Sequence, residues 1–308
     1  MAVSQERAFL VLAHTGREES RRAALETIAG LARGGIVPVL VATDFPELLG
    51  GDADPTLRAA VRILEDEVPL ERIELAIVLG GDGTILRAAE VVRGADAPII
   101  GVNLGHVGFL AEAEREDLAE VVRRAIAADY EVEERMTIEV VVLDHDDREV
   151  ARTWALNEAT IEKATSGKMV EVVVEVGGRP LSSFGCDGVV MATPTGSTAY
   201  AFSAGGPVVW PNIDAMLLVP LSAHALFARP LVVAPDSVLA VELREVPANV
   251  GVLWCDGRRS TPLGPGSRVE ATRSTTPVRL ARLVRGEFTD RLVNKFSLPV
   301  SGWRGSGR

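Results

Sequence analysis

The chain has 308 residues, 47% hydrophobic and only 5% aromatic, with a formal net charge of -11. That length suits two domains of ordinary size with cores of Val, Leu, Ile and Ala, and the acidic balance argues against a nucleic-acid binder, which usually carries a basic patch. Two cysteines, Cys186 and Cys255, supply neither a disulfide scaffold nor a metal-ligand spacing.

No apolar run reaches membrane-spanning length, and Ala8 to Ala13 is too short for the core of a signal peptide. A soluble, cytoplasmic protein in a reducing compartment is therefore expected. From the N-terminus, Ala8 to His14 reads as a buried strand, and Ser20 to Arg33 as a helix that stops at Gly34-Gly35. Ile36 to Ala42 is the next strand, Asp44 to Pro55 a loop, and Leu57 to Leu64 a short helix. Glu74 to Leu79 is a strand that runs straight into Gly80-Gly81-Asp82-Gly83-Thr84, with a helix at Leu86 to Val92. A strand at Pro98 to Val102 and a helix at Leu118 to Ala128 complete the alternation. Strand and helix in turn predict a parallel, Rossmann-like α/β sheet over residues 1–130.

Beyond Tyr130 the pattern becomes all-β. Strands are predicted at Ile138 to Leu143, Ala151 to Ile161, Met169 to Val176, Gly188 to Met191, Leu231 to Val233, Val238 to Leu243, Val250 to Cys255 and Arg268 to Ala271. Tight turns between many of them point to a β-sandwich domain over 131–285, interrupted by a short helix and turn at Thr198 to Pro207. Residues 286–308, with a helix at Asp290 to Phe296, are expected to pack back on the first domain.

The most informative segment is ELAIVLGGDGTILRAAE. Glycines between a strand and a helix let backbone N–H groups approach a ligand, and the helix N-terminus behind them suits phosphate oxygens. A carboxylate among phosphate-binding glycines repels the ligand unless it acts as a base or a metal partner; the plainer alternative makes Asp82 the helix N-cap. The turn is neither a Walker loop nor the Gly-x-Gly-x-x-Gly dinucleotide turn.

GGDGT followed by LRAAE resembles the signature of the NAD kinase family. The Gly-Gly-Asp-Gly core also occurs in diacylglycerol and sphingosine kinases, but the remaining motifs discriminate. NLGHVGFLAE (Asn103 to Glu112), ALNE (Ala155 to Glu158), DGVVMATPTGSTAYAFSAGGP (Asp187 to Pro207) and the late Cys255-Asp256-Gly257 are similar to the NAD kinase set in order and spacing. The resemblance spans essentially the whole chain, from the first strand to SGWRG at 301–305. It implies transfer of the terminal phosphoryl group of ATP, or of polyphosphate, to the 2'-hydroxyl of the adenosine ribose of NAD, with a divalent cation such as Mg2+ accompanying the donor. No protein side chain is assigned as a metal ligand.

The resemblance also implies site residues. Asp82 takes the catalytic role, since a ribose hydroxyl is a poor nucleophile until a carboxylate accepts its proton. Gly80, Gly81, Gly83 and Thr84 line the phosphate path, and Arg87 balances phosphate charge or else is a solvated helix residue. NAD is expected in a cleft between the domains, on Asp82, Gly83, Arg87, Asn157, Glu158, Asp187, Thr198, Ala199, Tyr200 and Ser203, with Tyr200 able to stack on a base. Without the resemblance, Asn157 and Glu158 read as a polar strand end. Lys168 is a weaker carry-over, reaching NAD from its own or a neighbouring subunit. His224 and Asp256 read as supporting residues, the latter with a plain turn aspartate as its equal; His106 stands where relatives carry a basic residue. A homo-oligomer, dimer or tetramer, is expected, with neither nucleic acid nor membrane as partner. The competing readings are a lipid or sugar kinase of the same superfamily, a non-catalytic NAD(P)-binding sensor, and, more remotely, a serine hydrolase using Ser197, Asp187 and His224.

Overall fold

The computed structural model describes residues 6–14, 16–50, 54–105, 108–283 and 288–300. The chain divides into two compact units, the first formed by Met1–Glu134 and Arg279–Arg308, the second by Arg135–Val278. His106 and the SGWRG segment lie outside the described residues. Among the described residues, no helix is long and apolar enough to cross a membrane.

The first unit is built on an eight-stranded sheet. Its order runs Arg62–Ile63, Val37–Leu40, Ala8–Ala13, Ile73–Leu79, Ile99–Asn103, Val278–Arg282, Glu131–Arg135, with Ala113–Glu114 beside Ile99–Asn103. The pairings from Arg62–Ile63 across to Val278–Arg282 are parallel. Ala8–Ala13 is buried at every position, as a central strand covered on both faces must be. The helix Glu18–Arg33 lays Ala24, Thr27, Ile28 and Leu31 into the core, the spacing of a single helical face. The chain visits one side of Ala8–Ala13 first and then crosses to Ile73–Leu79 on the other. That reversal of strand order is where open α/β sheets bind ligands, at the carboxyl ends of the strands, and the Gly80-Gly81 turn leaves the sheet there.

The second unit consists of two six-stranded antiparallel sheets. Their buried side chains, among them Ile138, Val140, Val172, Ile161, Met191 and Leu253, form one hydrophobic core. One sheet runs Leu231–Val233, Met216–Leu221, Gly188–Ala192, Glu158–Lys163, Gly251–Cys255, Arg259–Leu263. The other runs Arg179–Cys186, Val170–Val176, Leu239–Leu243, Arg268–Arg273, Ile138–Leu143, Glu149–Ala155.

The helix expected over Leu57 to Leu64 ends at Ala60, because Arg62–Ile63 pairs as a strand with Val39 and Leu40. Three further features depart from the sequence reading. Asp44 to Pro55 is not wholly loop, because Phe45–Leu49 forms a short helix. The single strand expected over Ala151 to Ile161 is two, Glu149–Ala155 and Glu158–Lys163, lying in different sheets. The chain changes sheets at Leu156-Asn157, where side chains take over the backbone donors. The third is Val278–Arg282, which joins the sheet of the first unit beside Ile99–Asn103.

Gly188 is fixed by close approach: a Cβ there would lie 2.4 Å from the Ile161 carbonyl oxygen. Gly188→Ala is expected to lower the unfolding free energy by about 1–3 kcal/mol. Gly264→Ala, which meets open space without a positive φ, should stay within about 0.5 kcal/mol of the parent. Urea unfolding of both variants checks the contrast.

Candidate active site

In the first unit the strand Ile73–Leu79 delivers Gly80, whose φ of +153° is a glycine conformation and whose Cβ would lie 2.5 Å from Thr84 Oγ1. Gly81 caps the helix Asp82–Val91, and its carbonyl accepts from the Thr84 and Ile85 amides at 2.9 and 3.2 Å. Asp82 is therefore not the cap; it opens the helix. Gly81 and Gly83 are exposed, and a Cβ at either would meet nothing of the protein within 4 Å. Packing does not demand glycine at these two positions, whereas the close approach of a ligand would.

Both oxygens of Asp82 are gripped. Oδ2 accepts from the Phe109 amide and Oδ1 from the Leu110 amide, each at 3.1 Å. Gly108 makes room for this, since a Cβ there would stand 2.4 Å from Asp82 Oδ1. The carboxylate sits half-buried at a helix N-terminus, where the helix dipole favours negative charge. Arg87, a turn further along, is ion-paired to the buried Asp44, whose Oδ2 has no hydrogen-bond partner. It is neither a solvated surface charge nor an unpaired cation over the turn.

In the second unit one carboxylate organises the ALNE corner. Asp256, with a φ of +54°, accepts from the Leu156 amide at 3.0 Å and the Asn157 amide at 2.7 Å. Arg259 donates to Asp256 at 2.9 Å and to the Trp154 carbonyl at 2.8 Å, with its guanidinium 4.5 Å from the Trp154 ring centroid. From the other side the TPTG segment closes in. The Thr193 amide donates to the Asn157 carbonyl at 2.9 Å, and a Cβ on Gly196 would lie 2.0 Å from that same oxygen. Asp256 is thus an anchor for Asn157 and Glu158, reached from a distant turn.

Glu158 is buried, receives a backbone hydrogen bond from Tyr200, and leaves Oε2 without a partner. Burial, with the nearby Asp256 charge, pushes its carboxyl up to about 8. Burial also pushes the Asp256 carboxyl up, against the opposing pull of the Leu156 and Asn157 amides and Arg259.

Two cavities meet at Tyr200. One, of about 540 Å³, is lined by Glu162, Lys163, Asp187, Tyr200, Ser203 and the end of strand Met216–Leu221 with Ser222. The other, of about 280 Å³, is lined by Glu158, Thr160, Glu162, Tyr200, Trp254 and Gly257. Tyr200 is 40% exposed, and its hydroxyl hydrogen-bonds to Glu162. Asp187 is ion-paired with Lys163. The hydrogen bond from Lys163, then that from Ser222, and further the nearby His224 hold its carboxyl below the usual range. Thr198 donates to the Thr195 carbonyl at 3.2 Å, and Ala199 leads into the turn of helix Tyr200–Ser203. Lys168 is exposed in the turn before Val170–Val176 and lines neither cavity.

Glu162, Lys163 and Trp254 were missed in the sequence. A signal existed: Glu158, Thr160 and Glu162 recur at period two on one strand, and Trp254 lies opposite Thr160 in the register. Ser197 is buried, with its hydroxyl bonded to the Pro194 and Val209 carbonyls at 2.7 and 3.1 Å, which leaves nothing for a hydrolase nucleophile. Among the described residues, one close group of three potential metal-binding side chains occurs, Asp144, His145 and Asp146, and it contains none of the site residues.

A glycine turn with a fixed carboxylate at a parallel-sheet switch point, and a polar pocket on a β-sandwich, are the parts of a nucleotide-dependent phosphotransferase. The family described as ATP-NAD kinase N-terminal domain matches residues 66–130, and the one described as ATP-NAD kinase C-terminal domain matches 156–283. An NAD kinase of Leifsonia xyli is 61% identical over 303 residues, 98% of each chain. One of Thermobifida fusca is 57% identical over 97% of this chain and 92% of its own. Among solved structures, an NAD kinase from Archaeoglobus fulgidus in complex with ATP superposes with a TM-score of 0.71 at 26% identity, covering 95% of this chain and all of the other. Yeast NADH kinase complexed with NADH has the same fold, with a TM-score of 0.84 at 22% identity over 97% of this chain and 90% of its own. The chain belongs to the NAD kinase family.

The raised Glu158 carboxyl has a consequence for stability. Its proton is retained in the folded chain up to about 8 but lost from the unfolded chain near the ordinary 4.5, so stability falls as pH rises through that window. Glu158→Gln has no such titration. Its stability relative to the parent should improve between about pH 5 and about pH 8, as read by urea unfolding at both values; parallel curves would contradict the assignment.

Proposed function

We propose that Asp82 is the general base in the reaction of this family, with the NAD held by the second unit. The activity is that of an NAD kinase: phosphoryl transfer from ATP to NAD, giving NADP. The observation that carries Asp82 is its grip on two consecutive amides, which keeps the carboxylate in one rotamer beside a turn whose exposed glycines face open space. A base held this way draws the proton from the 2'-oxygen of the adenosine ribose as that oxygen attacks the terminal phosphorus of the donor. Backbone N–H groups of Gly81 and Gly83 and the helix N-terminus take the donor phosphates.

On the acceptor side, Tyr200 offers a ring face to the adenine, and Ser203 and Asp187 offer polar contacts across the larger cavity. Asn157 and Glu158, locked in place by Asp256, address the ribose. A protonated Glu158 can donate as well as accept, so it meets a hydroxyl pair without setting a second charge against the phosphates. The buried, readily protonated Glu158 does not suit a metal ligand, so Mg2+ is read as arriving on the donor phosphates, where it neutralises charge. Polyphosphate presents the same terminal group to the turn. Leu226 and Phe227, at 111% and 56% exposure, support self-association into a homo-oligomer, which sedimentation of the parent against Leu226→Ser/Phe227→Ser tests by loss of mass.

Asp82→Asn should lower kcat by roughly a hundredfold or more while NAD still binds. NADP formation from NAD, ATP and magnesium, detected with an NADP-specific dehydrogenase, gives the rate, and calorimetry gives the binding. A rate near that of the parent would remove Asp82 from this role.

A further inference from the structure

The segment Phe109–Glu112 lies between Asp82 and the C-terminal return of the first unit. On one side its Phe109 and Leu110 amides donate to Asp82. On the other, its carbonyls are taken by two arginines. Arg291, in the helix Phe288–Phe296, donates to the Phe109 carbonyl at 3.1 Å and the Ala111 carbonyl at 3.0 Å. Arg282, at the end of strand Val278–Arg282, donates to the Leu110 carbonyl at 3.2 Å. Glu112 binds the pair together, accepting from Arg282 at 3.0 Å, Arg291 at 2.9 Å and the Leu283 amide at 2.9 Å. The Phe109 ring is held between Phe288 and Phe296, at centroid distances of 6.0 and 5.8 Å.

One bond in this set matters more than the others. The Phe109 carbonyl and the Leu110 amide belong to the same peptide group. Arg291 therefore donates to one end of a peptide unit whose other end donates to Asp82. A cation on the carbonyl polarises the unit and strengthens its N–H as a donor, as in any chain of hydrogen bonds. The planarity of the peptide also ties the direction of that N–H to the position of Arg291.

We propose that Arg291 is a positioning residue for Asp82, acting through the Phe109–Leu110 peptide, with Arg282 and Glu112 holding the guanidinium in register. The assignment rests on Asp82 as the base. Arg291 itself touches neither substrate nor reacting atoms. Its burial with Arg282 nearby lowers the affinity of its guanidinium for the proton, and Glu112 supplies the compensating charge, which is why a surface cation could not take its place.

The test is a cycle of four proteins: the parent, Asp82→Asn, Arg291→Met and the double variant. Arg291→Met should lower kcat about tenfold, with KM for NAD and ATP within about twofold and NAD affinity unchanged. On the Asp82→Asn background the same change should cost nothing further, because the carboxylate it positions is gone. Arg291→Lys, which keeps the charge but not the fork, should recover part of the rate and serves alone if the Met variant does not fold. An equal fold-loss on both backgrounds, or a folded Arg291→Met at the parental rate, overturns the proposal. A fully active Asp82→Asn overturns instead the assignment of the base, so the two failures are told apart.

Discussion

A carboxylate that takes two consecutive backbone amides from a distant segment is the interaction on which both halves of this enzyme depend. Asp82 does this to Phe109 and Leu110, Asp256 to Leu156 and Asn157. The arrangement replaces ladder partners with an ionised acceptor, and such charge-assisted bonds are stronger than neutral ones. It also removes freedom from both participants, because neither the side chain nor the peptide pair can rotate without losing two bonds. In the first unit the carboxylate is the group proposed as the base, and the peptides are its cradle. In the second the roles are reversed: the carboxylate is the cradle, and the corner it holds presents Asn157 and Glu158.

The net charge of -11 poses a problem for a protein that handles two anionic nucleotides. Two cations among the described site residues are already engaged. Arg87 is committed to Asp44 and Lys163 to Asp187. What the fold offers on the proposed donor side is backbone, a helix N-terminus and two exposed glycines, and on the proposed acceptor side a pocket in which Lys163 balances Asp187 and hydroxyls line the rest. Backbone donors hold phosphate without a mobile side chain to order, and they lose none of their strength when a neighbouring carboxylate is deprotonated. Burial, which pushes the Glu158 carboxyl up to about 8, serves the same end by removing charge from the proposed dinucleotide pocket.

The alternation of strand and helix, the change to strands after Tyr130, and the glycine turn were legible because each is a local pattern. Period two and period 3.6 need only neighbours, and GGDG followed by an apolar helix states its own geometry. The failures are all of longer range. Ala151 to Ile161 reads as one strand because no glycine or proline breaks it; Asp256, a hundred residues further on, helps make Leu156-Asn157 a corner. The alternative reading of Asp82 as a cap stays open in the sequence because its actual partners, the amides of Phe109 and Leu110, have no side-chain signature. Arg282 and Arg291 carry no local signature at all; only the fold brings them to the carbonyls of 109–111. Glu162 was the exception, a local signal overlooked.

The return of the chain at Arg279 carries a consequence for assembly during synthesis. The ribosome makes the glycine turn, Asp82 and the Phe109–Glu112 segment early, then the whole of the second unit, and only afterwards the strand and helix that bear Arg282 and Arg291. Until those last elements emerge, three consecutive carbonyls and the Glu112 carboxylate await their partners, and the parallel sheet has an open edge beside Ile99–Asn103. The first unit is thus completed last, after every residue of the second unit has been made. The cradle of Asp82 therefore joins residues from both ends of the first unit's sequence, and its outer support is among the last parts of that unit to be made.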